Sequence, residues 1–75
     1  MNEDLREKLR EIIAEVAEIE EVPDATSFKD LGIDSMMAIE IIAEVERTYR
    51  IKVAESELEQ VRDLNSVFEL ISSKL

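Results

Sequence analysis

Residues 31–49 read LGIDSMMAIEIIAEVERTY, and their apolar positions recur with the period of an α-helix. Placed at about 100° per residue, Ala38, Ile41, Ile42, Val45 and Tyr49 gather on one side. That side is the expected core stripe. Met36, Met37, Glu40, Ala43, Glu44 and Arg47 take the opposite side, with Ile39 and Glu46 on the flank. The pattern predicts a helix from near Ser35 to about Tyr49, with Asp34 or Ser35 as its N-cap. Gly32 is the only glycine of the chain and is expected to supply a backbone angle that other residues avoid.

Working outward, residues 3–19 read as a second amphipathic helix. Leu5, Leu9, Ile12, Ile13, Val16 and Ile19 form its stripe, and Asn2 is a candidate N-cap. Pro23 cannot continue that helix. Residues 23–34, PDATSFKDLGID, form a long connection, but Phe28, Leu31 and Ile33 suggest that it is pinned to a core. A structured loop of this length in so short a chain is often functional. Residues 50–54 make a short link, and 55–61 are expected to form a short helix. A last helix is expected from about Leu64 to Ser73, capped by Asp63. Ser66 and Glu69 have capping-box spacing, so its start could instead lie at Ser66. Val67, Leu70 and Ile71 would face inward. The chain is therefore expected to be all-α, a small bundle of three main helices plus one short helix, with residues 1–75 as a single domain.

Composition narrows the chemistry. The chain has 75 residues, 45% apolar and 37% charged, with a net charge of −10. It has neither Cys nor His, so it holds no disulfide, lacks the usual zinc ligands, and cannot build a Ser-His-Asp or Cys-His nucleophile system. No metal site and no catalytic residue is expected. Two carboxylates such as Glu40 and Glu44 on a convex helix enclose no substrate and make a poor acid–base pair. Phosphate would repel this surface, which argues against nucleic acid. No apolar run approaches a membrane span, and a charged N-terminal stretch reads as no signal peptide, so a cytoplasmic location is expected.

The acidity is concentrated. Residues 11–46 hold eleven acids and one base, Lys29. The outward face of the helix at 35–49 thus mixes methionines with carboxylates. Exposed Met suits contact with several partners, and acids suit proteins with basic patches. A solvated acidic face would be the ordinary reading, but a serine stands at the helix start, between a structured loop and this face.

Leu31-Gly32-Ile33-Asp34-Ser35, followed by Met36, resembles the L-G-x-D-S-[LM] attachment motif of acyl carrier proteins. The resemblance covers nearly the whole chain. Ser27-Phe28-Lys29-Asp30 is similar to the segment before that motif. Ile39-Glu40-Ile41-Ile42 with Val45-Glu46 is similar to the family's second helix, Tyr49-Arg50-Ile51-Lys52-Val53 to its exit, and Asp63-Leu64-Asn65-Ser66-Val67 to the start of its last helix.

The resemblance implies that Ser35 receives 4'-phosphopantetheine from coenzyme A through a separate, Mg-dependent phosphopantetheinyl transferase. A thiol arriving on the cofactor would let a chain without cysteine carry acyl thioesters to partners. Those partners would be acyl-transferring, synthase or ligase enzymes of fatty-acid, lipid or polyketide-like biosynthesis, with basic docking patches. By matching position, Asp34, Glu40 and Glu46 are docking candidates; Met36, Met37 and Glu44 join them from the helix projection. The resemblance also implies an acyl cavity, for which Val45, Val53, Leu58, Val61 and Val67 are candidate lining residues, with Leu58 narrowing it. Met37, Arg47, Arg50 and Ala54 depart from the fatty-acid members, so a specialised carrier fits as well as a general one. A monomer is expected from the charge. Two alternatives stay open: an aminoacyl, peptidyl or D-alanyl carrier with the same arm, and an unmodified acidic helical interaction module.

Overall fold

A computed structural model describes residues 2–75; the side chain of Asn2, and with it its reading as an N-cap, lies outside the described residues. The described chain is all-α: α1 (Asn2–Ala17), α2 (Ser35–Tyr49), α3 (Glu55–Leu58) and α4 (Leu64–Lys74). α1 packs against both α2 and α4. The core they enclose holds Leu9 and Ile13 of α1, Ile41 and Val45 of α2, and Leu64, Val67 and Ile71 of α4, all fully buried. No polar or charged side chain is buried among the described residues. Burial of apolar stripes is thus what holds the helices together.

α1 stops two residues before the end of its apolar periodicity. Glu18 adopts a left-handed conformation (φ 57°), and the Ile19 N–H donates to the Ala14 carbonyl at 3.0 Å. This is the closing bond of a Schellman turn, which satisfies a helix-end carbonyl and folds the next apolar residue back onto the helix. Ile19 is accordingly half-buried and Val22 buried. α2 ends the same way, with Arg50 at φ 57° and the Ile51 N–H donating to the Glu46 carbonyl at 3.2 Å.

The connection from 18 to 34 is tied down at several points. Phe28 and Ile33 are buried, as their apolar character requires. The Phe28 N–H donates to the Arg62 carbonyl at 2.7 Å, and the Asn65 N–H to the Asp24 carbonyl at 3.1 Å. Arg10 reaches from α1 to the Val22 carbonyl and to Asp24 Oδ1, the latter at 2.5 Å. Arg6 donates to Asn65 Oδ1 at 2.6 Å and lies 4.3 Å from the centre of the Phe68 ring. Gly32 has φ +80°, the conformation expected of it.

α4 begins at Leu64. The Ser66 N–H donates to Asp63 Oδ1 at 2.8 Å while the Asp63 N–H donates back to Ser66 Oγ at 3.0 Å. The reciprocal box therefore pairs Asp63 with Ser66, and the alternative start at Ser66 with Glu69 is overturned. A residue whose hydroxyl already closes the box at the third helical position cannot also cap from outside. α3 covers only 55–58 of the expected 55–61; residues 59 and 60 form a turn. Its start is held by Glu57, whose carboxylate accepts from the Ala54 N–H at 2.8 Å and sits 3.0 Å from Lys74 Nζ at the end of α4.

Candidate functional site

Ser35 is the first residue of α2 and is exposed. Asp34 is the N-cap: its Oδ1 accepts from the Met37 N–H at 2.9 Å, from an extended backbone (φ −90°, ψ −177°). Of the two capping candidates, Asp34 takes the role, which leaves the Ser35 hydroxyl free of it. The first N–H groups of an α-helix have no acceptor within the helix. Those of Ser35 and Met36 thus face the approach to the serine, where the helix dipole favours an anion. The turn 27–32, closed by Ile33 N–H donating to the Phe28 carbonyl at 2.8 Å, delivers the chain to this point.

Two grooves meet at Ser35. One runs between α2 and α3, about 420 Å³ in volume and open to solvent. Ala38, Ile39 and Ile42 of α2 form one wall, with Leu58 and Val61 opposite and Glu55 and Glu59 at the rim. The other, about 340 Å³, lies between the 27–34 segment and the α3–α4 link, and shares Ser35, Ala38 and Val61 with the first.

Of the five expected lining residues, Leu58 and Val61 line the α2–α3 groove. Val45 and Val67 do not; both are fully buried in the core. Val53 packs half-buried against the core without lining the groove. The wall of α2 is instead the stripe Ser35, Ala38, Ile39, Ile42, spaced one turn at a time. The helix projection carried that signal, since Ile39 lay on the flank between the core stripe and the outward face.

The outward face of α2 also differs in detail from the projection. Met36 is 73% exposed and Ile39 54% exposed. Met37 is half-buried and packs against the core, so it does not belong to the fully outward face; it stands beside Ile41 rather than Met36 on the helix surface. Glu40 is exposed. Glu44 Oε1 is 2.6 Å from Arg47 Nη2, an exposed pair one turn apart. Glu46 is half-buried, and its Oε2 accepts from the Val53 N–H at 2.8 Å, pinning the link after α2. That bond spans seven residues, and no local pattern announces it.

Residues 7–71 match the family described as phosphopantetheine attachment site. The chain is 41% identical over 73 residues to the polyketide-8 synthase acyl carrier protein 2 of Streptomyces avermitilis, covering 93% of this chain and 84% of that protein. It belongs to the acyl carrier protein family. An acyl carrier protein of Syntrophus aciditrophicus is 33% identical over 89% of this chain and 88% of its own length. The fold matches the crystal structure of an acyl carrier protein from Thermotoga maritima with a TM-score of 0.83, at 24% identity, covering 97% of this chain and 88% of that one. The chain is thus a carrier rather than a catalyst, and its cofactor is a covalently attached 4'-phosphopantetheine. The α2 start fits that group: it offers an exposed hydroxyl, unclaimed backbone N–H groups for a phosphate, and a groove for what the arm carries. Partner enzymes of the synthase and transferase kinds follow from the family. No helix among the described residues is long and apolar enough to cross a membrane.

Proposed function

We propose that Ser35 is the attachment residue and that residues 1–75 act as one carrier domain. The observation that carries this reading is the position of Ser35: exposed, released from capping by Asp34, and at the junction of the grooves. The group supplies a thiol on a long flexible arm, to which acyl cargo is joined as a thioester. The protein's own share is to hold the serine at a helix start, shelter apolar cargo beside Ile39, Ile42 and Leu58, and present a recognisable face. Incubation with coenzyme A, Mg and a promiscuous phosphopantetheinyl transferase tests it by intact mass. The parent gains one phosphopantetheine and Ser35→Ala gains none. No gain on folded parent would leave an unmodified interaction module.

The cargo is proposed to be of the polyketide type. Support comes from the Streptomyces avermitilis relative and from the anthracycline acyl carrier protein of Streptomyces peucetius, 37% identical over 91% of this chain. The departures at Met37 and Arg47 from the fatty-acid pattern agree with a specialised role. Docking is proposed through Asp34, Met36, Glu40 and Glu44, with Met37 and Glu46 supporting that face from its edges, on partners with basic patches. A monomer in the cytoplasm completes the reading. The charge of −10 opposes self-association, and coenzyme A, the donor of the arm, is an intracellular cofactor.

A further inference from the structure

The two grooves that meet at Ser35 carry opposite charge. Glu55 and Glu59 edge the α2–α3 groove with no base among its lining, whereas Lys29 and Arg62 line the other together with one acid, Asp34, which leaves it net positive. Lys29 is the single base of residues 11–46. Neither Lys29 nor Arg62 forms an ion pair among the described residues, although acids outnumber bases nineteen to nine in the chain.

The second groove is also a built feature. Its two sides are joined where the Phe28 N–H donates to the Arg62 carbonyl at 2.7 Å. The Arg62 N–H donates to Ser66 Oγ at 2.8 Å, and the Asp30 N–H donates to Ser27 Oγ at 3.2 Å. One backbone bond thus joins the segments that bear the two cations, and a serine hydroxyl orders each segment locally.

We propose that this basic groove seats the phosphodiester end of the arm between Lys29 and Arg62, leaving the α2–α3 groove for acyl cargo. This rests on Ser35 being the attachment residue. A phosphodiester carries one negative charge at neutral pH. Asp34, which lines the basic groove, repels it there, and Glu55 and Glu59 repel it on the α2–α3 side. Lys29 and Arg62 attract it from the other side, and the open N–H groups of Ser35 and Met36 favour an anion from either. The balance of charge therefore selects one groove. Arg62 can further grip two phosphate oxygens at once. The contact is exposed, so it weakens with salt.

The test compares amide NMR spectra of the 15N-labelled protein before and after the transferase reaction, with conversion followed by intact mass. Attachment is expected to shift Ser27, Phe28, Lys29 and Arg62, which line the basic groove alone, as well as the neighbours of Ser35. Lys29→Gln combined with Arg62→Gln still accepts the group by mass but loses most of the shifts at Ser27 and Phe28; high salt does the same to the parent. Both side chains are exposed, so the variant folds, and unchanged helical circular dichroism checks this. Shifts confined to Ile39, Ile42 and Leu58, or shifts that the double variant retains, would overturn the proposal while leaving the attachment intact. Absence of any mass gain would instead remove the reading beneath it.

Discussion

Gly32 and Arg50 both hold left-handed backbone, φ +80° and φ 57°, yet only one of them is a glycine. A side chain in that region costs about 1–2 kcal/mol, and glycine gives back part of this by losing more freedom on folding. Gly32→Ala is therefore expected to destabilise by about 1 kcal/mol even though no atom beyond its chain neighbours lies within 4 Å of the added Cβ. Arg50→Gly should stabilise by about 0.5–1 kcal/mol. Urea unfolding curves check both, and equal signs would contradict the backbone account. Glu57 offers a pH test. The Ala54 N–H, and after it Lys74, holds its carboxyl below the ordinary 4.5. A depressed folded value means a contribution that is full above the unfolded value and lost as pH falls through the folded one. Glu57→Gln should thus lag the parent in stability at neutral pH, and the gap should close as pH drops below 4.5. Gly32 was legible because a lone glycine in a pinned loop has few other uses. Arg50 was not, because nothing in its type announces a left-handed turn.

The bounds and core stripe of α2 were readable from its sequence, while its cap, open between Asp34 and Ser35, was assigned by the bond from the Met37 N–H. Its cap can be separated from its docking charge. Asp34→Ala removes the bond to the Met37 N–H and should cost about 1 kcal/mol. Asp34→Ser keeps a capping oxygen and removes the charge, so it should retain most of the stability while weakening partner binding. Thermal melts and binding rates measured together distinguish the two effects. The ends of α1 and α4 were less legible. Periodicity ran on through Ile19, but the Schellman turn at Glu18 cut the helix short so that Val22 could reach the core. At α4 two capping patterns overlapped in sequence, and hydrogen-bond geometry chose Asp63 with Ser66.

Charge governs the whole molecule. With a net charge of −10 and no buried charged group among the described residues, repulsion acts along the surface and salt should raise the unfolding temperature. The same charge should steer docking. Glu40→Lys is expected to slow association with a basic partner several-fold, by about 1 kcal/mol at most for one exposed contact, with little effect on stability. Stopped-flow rates at low and high salt check this; a difference that survives high salt would point away from steering.

Helix count, the position of Ser35 and the acidic face follow from local rules. Period and charge are properties of neighbouring residues and were readable along the chain, as were the candidate caps, among which hydrogen bonds then chose. The walls of the grooves were not. Ile39 and Ile42 line the groove beside α3, Val45 and Val67 are fully buried in the core, and Glu46 turns to Val53, because each choice depends on which helix packs where. The meeting of Lys29 and Arg62 beside Ser35 has the same origin: thirty-three positions separate them in the chain, and only the packed bundle sets them on one groove.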